Sequence, residues 1–174
     1  MRAVFLDRDG VLNRAVVRNG HPFPPRTLAE LEILDEARVA CRMLRETGFM
    51  LICVTNQPDI ARGTAANSDV SAFNELVRRE LELDDIRVCP HDDADNCRCR
   101  KPKPGLLTDA AADFGIELRS SYMIGDRWRD VAAGTSAGCR SIFIDRGYTE
   151  MRPDNPDYTT GSVADGALWI LRGE

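Results

Sequence analysis

Five short apolar runs, separated by longer segments with helical periodicity, constrain the fold of this chain more than any other feature. The runs occupy residues 3–6, 51–55, 86–89, 121–124 and 141–144. Runs of this length are typical of strands that are buried on both faces of a parallel sheet. The helical patterns occupy residues 27–47, 68–83, 105–115 and 128–138. This alternation predicts an α/β fold with a central parallel sheet between two layers of helices.

The composition is typical of one globular domain, and we expect residues 1–174 to form a single domain. Hydrophobic residues make up 43% of the chain and charged residues 29%, which excludes a disordered or fibrous protein. The net charge of −5 argues against a nucleic-acid partner. The chain has neither an apolar stretch of about 18 residues nor an apolar leader. We therefore expect no membrane partner, a cytoplasmic location and, from the size, a monomer.

Polar residues follow several of the predicted strands. Asp7 and Asp9 follow the first strand, Thr55 and Asn56 end the second, and Asp126 follows the fourth. The carboxyl ends of parallel strands meet at one edge of the sheet, where ligands bind. One carboxylate can attack phosphorus while a second protonates the leaving alcohol and then activates water. Two carboxylates that face a phosphate need a cation, and Mg²⁺ suits oxygen ligands. The arrangement predicts phosphoryl transfer.

Four motifs carry a resemblance to a known superfamily. They are Asp7-Arg8-Asp9-Gly10, Thr55-Asn56-Gln57, Arg100-Lys101-Pro102 and Gly125-Asp126 with Asp130. Occurring in this order over residues 3–146, they resemble the haloacid dehalogenase (HAD) superfamily. The resemblance implies a HAD-like, Rossmannoid three-layer fold and a Mg²⁺-dependent phosphatase that forms an aspartyl-phosphate.

The same resemblance implies roles for individual residues. Asp7 would be the nucleophile and Asp9 the general acid and base. Thr55 and Lys101 would bind the phosphate. Asp130 would order the groups around the metal ligands. The implied Mg²⁺ ligands are Asp7, the backbone carbonyl of Asp9 and Asp126.

Cysteine and histidine residues cluster in residues 89–99, which we call the zinc loop. Its potential ligands are Cys89, His91, Cys97 and Cys99. Three thiolates and one imidazole so close in sequence are typical of a tetrahedral Zn²⁺ site. Four protein ligands leave no position for water, so we expect a structural zinc. The alternative is a pair of buried thiols beside a surface histidine.

The zinc loop resembles one branch of the HAD superfamily, which contains the D-glycero-D-manno-heptose-1,7-bisphosphate 7-phosphatases and the histidinol-phosphate phosphatases. The five-residue spacer between His91 and Cys97 resembles the histidinol-phosphate enzymes. Residues 20–25 and 104–107 resemble the heptose enzymes. We therefore expect a phosphorylated sugar or amino-alcohol substrate, with removal of the 7-phosphate of the heptose bisphosphate favoured and histidinol phosphate as the alternative.

Two other classes of protein share parts of the pattern. DNA 3'-phosphatases of the superfamily have similar motifs, but the acidic charge and the zinc loop argue against them. A non-catalytic phospho-acceptor domain also places an aspartate at a strand end. Asp9 argues against that class, because a nearby general base would hasten loss of the phosphate.

The interval between Asp9 and Gly48 is too short to contain a large cap domain, so the sequence predicts an open site. Residues 14–26 and the zinc loop are the candidate covers. The predicted substrate-binding residues are Asn56, Arg14, Arg62 and Arg100. Towards the C-terminus, turn residues predict a surface loop at 150–162, and periodicity predicts a last helix at 163–171.

Overall fold

A computed structural model describes residues 1–173, and strands occur throughout that part of the chain. The strands are β1 (Ala3–Leu6), β2 (Val16–Arg18), β3 (His21–Phe23), β4 (Met50–Asn56), β5 (Asp85–Cys89), β6 (Tyr122–Gly125), β7 (Arg140–Ile144) and β8 (Tyr158–Thr160). Six of them form a parallel sheet in the order β5-β4-β1-β6-β7-β8, and β2 pairs with β3 as an antiparallel hairpin. The predicted central parallel sheet is confirmed.

Helices cover both faces of this sheet. They are α1 (Asp35–Glu46), α2 (Asn67–Leu81), α3 (Gly105–Phe114), α4 (Trp128–Ala137) and α5 (Val163–Arg172). Buried side chains of α1, α2 and α5 share one core cluster, and those of α3 and α4 share the other. The fold therefore has the predicted three layers.

Strand β1 shows why the sheet lies between two cores. All four of its residues are fully buried. Val4 and Leu6 face the core under α1, whereas Ala3 and Phe5 face the core under α3. Successive side chains of a strand point to opposite faces, so an uninterrupted apolar run fits a strand that is covered on both sides.

The predicted helix at residues 27–47 was wrong in its first part. A short 3₁₀ turn covers Leu28–Glu30, and α1 begins only at Asp35. Between them the chain is extended, because the backbone N–H of Arg14 donates to the carbonyl of Glu32 and that of Leu34 donates to the carbonyl of Leu12. These contacts outweigh the helical periodicity of the leucines.

The predicted surface loop at residues 150–162 was also wrong in part, because it contains β8. Tyr158 of β8 pairs with Ile142 of β7 and stacks on Trp169 of α5, with ring centroids 5.1 Å apart. Packing against α5 thus extends the edge of the sheet by one strand.

Residues 14–26 form the β2–β3 hairpin, with Asn19 and Gly20 at its turn. Both residues have positive φ, 51° and 79°, as a tight two-residue turn requires. Within residues 1–173, no inserted cap domain separates this hairpin from α1. Over the same residues, none of the helices has the length and apolar character needed to cross a bilayer.

Candidate active site

A cleft of about 380 Å³ lies at the carboxyl ends of the central strands. The structure brings eight of the predicted site residues together in its lining. They are Asp7, Asp9, Thr55, Asn56, Arg62, Arg100, Lys101 and Asp130. The β2–β3 hairpin contributes His21 to Pro24, and the zinc loop contributes Asp93. The two segments expected to cover the site therefore border it.

Three buried carboxylates lie next to each other beneath this cleft. Oxygens of Asp7, Asp126 and Asp130 lie within 4.8 Å of one another. Neither carboxylate oxygen of Asp126 has a well-formed hydrogen bond within residues 1–173, and the nearby hydroxyl of Tyr148 lowers the pKa of Asp126 too little to offset burial. A buried carboxylate without a partner is costly, and a divalent cation relieves that cost. The residues present therefore fit a Mg²⁺ ion held by Asp7 and Asp126.

Burial and mutual repulsion raise the pKa values of two carboxyl groups in this cluster. Burial, together with the negative charge of Asp130, raises the pKa of Asp7 to about 6 against the opposing charge of Lys101. Burial and the charges of Asp7 and Asp130 hold the pKa of Asp126 well above its ordinary value. Both raised pKa values show that the nearby positive charge does not offset burial and repulsion at these two carboxyl groups.

Lys101 is the cation of this cluster and is itself 2% exposed. Its Nζ donates to Asp7 Oδ1 at 2.7 Å and to the carbonyl of Val54 at 2.6 Å, and lies 2.6 Å from Asp130 Oδ1. Burial alone would lower the pKa of Lys101, but the charges of Asp130 and Asp7 outweigh it and raise the pKa. Lys101 is therefore a fixed positive charge beside the predicted nucleophile.

The two polar residues at the end of β4 have different contacts. The amide of Asn56 accepts from the backbone N–H of Lys101 at 3.1 Å and donates to its carbonyl at 3.0 Å. Asn56 was predicted to bind substrate, and in the structure its side chain holds the backbone of Lys101. Thr55 is buried, and its hydroxyl accepts from Gln57 at 2.9 Å.

The carboxylate of Asp9 is surrounded by hydrogen-bond donors. Arg8 donates to both of its oxygens, Asn13 donates to Oδ1 at 3.0 Å, and Gln57 donates to Oδ2 at 2.9 Å. Sequence reasoning gave these three donors no role. Arg8 and Gln57 lie inside two of the four motifs, which was the available signal, whereas Asn13 lies three residues beyond the first motif.

The predicted substrate-binding arginines differ in where the structure places them. Arg62 lines the cleft and pairs with Asp92, and Arg100 lines it and pairs with Asp93. Arg14 lies outside the cleft lining, and its exposed guanidinium pairs with the carboxylate of Glu32.

Arginines on α4 and just before it also line the cleft, and sequence reasoning missed them. Arg129 pairs with Asp93 at 3.1 Å, so that carboxylate bridges Arg100 and Arg129. Arg127 pairs with Glu150. Their position next to Asp126 in the sequence was the available signal.

The four predicted zinc ligands lie together at the side of the cleft. Their sulfur atoms are 3.2 to 3.6 Å apart, and His91 Nδ1 is 3.3 Å from Cys99 Sγ and 3.6 Å from Cys89 Sγ. These distances are too long for a disulfide. A tetrahedron with metal–ligand bonds of about 2.0–2.3 Å has edges of about 3.3–3.8 Å. The geometry therefore fits a tetrahedral metal site with Nδ1 as the imidazole ligand.

The acidity of one thiol also suits a metal. Burial opposes ionisation of Cys97, but hydrogen bonds from Cys99, from the Arg100 backbone and from Cys89 outweigh it and lower the pKa of Cys97 to about 7. The thiolate is the form that binds metal. Arg100 donates to the carbonyl of His91 at 3.3 Å, which ties the zinc loop to the cleft.

Comparisons with known proteins agree with this geometry. A family described as HAD-hydrolase-like matches residues 98–166. A D-glycero-beta-D-manno-heptose-1,7-bisphosphate 7-phosphatase from Yersinia pestis is 37% identical over 97% of this chain and 89% of its own length. A protein of the same name from Escherichia coli (strain K12) is 33% identical, over 94% of this chain and 90% of its own.

A solved structure extends the likeness to the fold. The crystal structure of D,D-heptose 1,7-bisphosphate phosphatase from B. bronchiseptica, complexed with magnesium and phosphate, has a TM-score of 0.85 and 27% sequence identity. The alignment covers 100% of both chains. The match therefore includes the hairpin and the zinc loop as well as the sheet.

Proposed function

Because this chain belongs to the family of HAD-like hydrolases that contains the D-glycero-beta-D-manno-heptose-1,7-bisphosphate 7-phosphatases, we propose that it removes the 7-phosphate of that heptose bisphosphate. The resemblance expected from the four motifs is confirmed, and the chain is a phosphatase. The observation that carries the proposal is the pairing of Lys101 with Asp7 and Asp130 directly beneath an arginine-lined cleft.

In the proposed first step, an oxygen of Asp7 attacks the phosphorus of the 7-phosphate. The bond between phosphorus and the sugar oxygen breaks as the bond to Asp7 forms. The positive charge of Lys101 attracts the phosphate, the Thr55 hydroxyl donates to a phosphate oxygen, and Asp9 gives its proton to the departing sugar oxygen. When bound by Asp7, Asp126 and the carbonyl of Asp9, Mg²⁺ supplies the positive charge that lets the substrate phosphate approach these carboxylates.

In the second step, Asp9 takes a proton from water as the water oxygen bonds to phosphorus. The bond between phosphorus and Asp7 breaks, which frees inorganic phosphate and restores Asp7. Asp130 contributes by holding Lys101 and by accepting from the backbone N–H of Arg127 at 3.1 Å. These contacts keep the Lys101 ammonium group in position beside Asp7.

The other phosphate of the substrate is the proposed ligand of a second group of cations. Arg62, Arg100 and Arg129 line the cleft, and each pairs with a carboxylate of Asp92 or Asp93. Guanidinium groups suit bidentate binding of phosphate. Two separate cationic groups along one cleft support a bisphosphate over a monophosphate.

The zinc loop has a proposed structural role. With Zn²⁺ bound by Cys89, His91, Cys97 and Cys99, no ligand position is left for water. The loop runs directly into Arg100 and Lys101. The metal would therefore hold both cations against the cleft. The cytoplasmic location, the monomeric state and the absence of a nucleic-acid partner stay predictions.

Phosphate release in the presence of Mg²⁺ tests the proposed substrate. The substrates are the α and β anomers of the heptose 1,7-bisphosphate and histidinol phosphate, and ³¹P NMR identifies which phosphate is lost. We expect loss of the 7-phosphate from the β anomer, as the relatives' names indicate, and none with Asp7→Asn. Preference for histidinol phosphate would show that the five-residue spacer of the zinc loop was the better guide.

A further inference from the structure

Arg8 lies between the two catalytic aspartates in sequence but is fully buried, with no exposed surface. A buried guanidinium is costly unless every nitrogen finds a partner. Nε and Nη2 of Arg8 donate to the carboxylate of Asp9, at distances of 3.0 to 3.3 Å. Nη1 donates to Oδ1 of Asn74 at 2.8 Å. Two partners therefore engage all three nitrogens of the guanidinium.

Asn74 is a polar residue on the buried face of α2. Val70 and Val77, one turn before and after it, are buried apolar residues. Asn74 itself is only 9% exposed. An asparagine at such a position is unusual unless its amide is hydrogen-bonded. Its bond to Arg8 is the contact that accounts for it, and it links α2 to the loop that contains Asp9.

We propose that Asn74 and Arg8 are positioning residues for Asp9, an inference that rests on the proposed function. Asn74 holds the Arg8 guanidinium from the side of α2. That guanidinium in turn fixes the Asp9 carboxylate at the angle from which it gives a proton to the leaving sugar oxygen. Neither residue lines the cleft, so both act through Asp9.

The geometry supports a role in orientation beyond packing. A guanidinium is a rigid planar fork, so two of its nitrogens on one carboxylate fix the plane of that carboxylate. The third nitrogen on Asn74 fixes the plane of the guanidinium. Loss of Asn74 leaves Nη1 buried without a partner, and the guanidinium must turn to find another acceptor. This rotation of the guanidinium would displace the Asp9 carboxylate.

The test uses the dependence of the reaction on its leaving group. A sugar alkoxide is strongly basic and needs a proton from Asp9, whereas p-nitrophenolate leaves without one. For each substrate, kcat/KM reports only the steps up to departure of the alcohol. The readout is the ratio of kcat/KM for heptose bisphosphate to kcat/KM for p-nitrophenyl phosphate. This ratio does not depend on the fraction of protein that is folded.

Three variants separate positioning from packing. Asn74→Leu keeps the size of the side chain but removes the acceptor, Asn74→Asp keeps an acceptor, and Val77→Ala disturbs the packing of the same helix. We expect Asn74→Leu to lower kcat/KM for the sugar phosphate by roughly 10- to 100-fold, a part of the effect of losing a general acid. The same variant should lower kcat/KM for p-nitrophenyl phosphate less than about threefold. Val77→Ala and Asn74→Asp should leave the ratio within about twofold of wild type.

Equal losses on both substrates in Asn74→Leu, or the same loss of the ratio in Val77→Ala or Asn74→Asp, would overturn the proposal. The outcome is independent of the exact sugar. If wild type ignores the heptose bisphosphate but hydrolyses histidinol phosphate, the proposed substrate fails and the ratio is measured with histidinol phosphate. If wild type hydrolyses no alkyl phosphate and no aryl phosphate, both proposals fall.

Discussion

Gly10 and Asp126 approach each other so closely that a β-carbon on Gly10 would lie 1.9 Å from Oδ2 of Asp126. The same β-carbon would lie 2.8 Å from the hydroxyl of Tyr148. Gly10 also has a φ of +91°, which L side chains rarely adopt. The turn after Asp7 therefore needs glycine for two reasons, its backbone conformation and the lack of space for a β-carbon.

Gly10→Ala is expected to damage the metal site as well as the turn. The new methyl group must displace the carboxylate of Asp126, a proposed Mg²⁺ ligand, so we expect the Mg²⁺ concentration for half-maximal activity to rise at least about tenfold. Gly48→Ala is the matched control, because Gly48 has a φ of +82° and nothing lies within 4 Å of its would-be β-carbon. The control should cost about 1 kcal/mol of stability and no activity. Similar Mg²⁺ titrations for the two variants would contradict the contact.

The sequence predicted the sheet well because β1, β4, β6 and β7 are largely buried, although the edge strand β5 is fully buried only at Cys89. β1 was predicted with its observed bounds, and the starts and ends of the others differ by one residue at most. The failures have a common cause. The extended segment before Asp35 and the edge strand at Tyr158 both depend on contacts with distant residues, Leu12 and Trp169. Local periodicity cannot report such contacts.

The active site was predicted where a residue type and a position after a strand agree. Asp7, Lys101 and Asp126 meet as their places in the motifs suggested. Arg14 is absent from the cleft lining, and its exposed guanidinium pairs with Glu32, as an exposed arginine can with any nearby carboxylate. Asn74 could not be predicted at all, because its partner lies 66 positions away in the chain.

The raised pKa values of the acidic cluster predict how stability without Mg²⁺ depends on pH. Asp7 titrates at about 6 in the folded protein and at 3.8 in the ordinary case. Between these values Asp7 binds more protons in the folded state than in the unfolded state, so its own contribution to stability falls as pH rises through this window. A shift of this size corresponds to about 2–3 kcal/mol.

Urea unfolding of protein dialysed free of Mg²⁺, at pH 4.5 and pH 7, measures this loss. Adding Mg²⁺ should restore more stability at pH 7 than at pH 4.5, because the ion binds ionised carboxylates. Asp7→Asn removes one titrating group and should flatten the dependence. The same difference in unfolding free energy between pH 4.5 and pH 7 in wild type and in Asp7→Asn, both without Mg²⁺, would contradict the raised pKa of Asp7.

Removal of one zinc ligand tests the metal in the zinc loop. Cys99→Ser should abolish stoichiometric zinc, measured by mass spectrometry of the purified protein, and lower both the melting temperature and kcat/KM, because Arg100 and Lys101 follow the loop directly. Cys139→Ser is the control, since this buried thiol lies outside the loop. It should keep one zinc per chain. Full zinc content in Cys99→Ser would leave the proposed ligand set without support.

Arg100 and Arg14 give a matched test of how the cleft holds its substrate. Arg100 lines the cleft next to the zinc loop, whereas Arg14 lies outside its lining and pairs with Glu32. Arg100→Ala removes a charged hydrogen-bond donor from the proposed second phosphate, and such bonds contribute about 1.5–3 kcal/mol. We expect KM for the heptose bisphosphate to rise roughly 10- to 100-fold while kcat changes little, because that phosphate does not react.

Arg14→Ala should leave KM within about twofold of wild type, because an exposed ion pair on the surface contributes little. A monophosphate that lacks the second phosphate provides the internal reference, since Arg100→Ala should then change its KM much less than that of the bisphosphate. If Arg100→Ala raises KM equally for both substrates, the arginine acts on the reacting phosphate or on the fold of the zinc loop. In that case Arg62 and Arg129 are the cations left to bind the second phosphate.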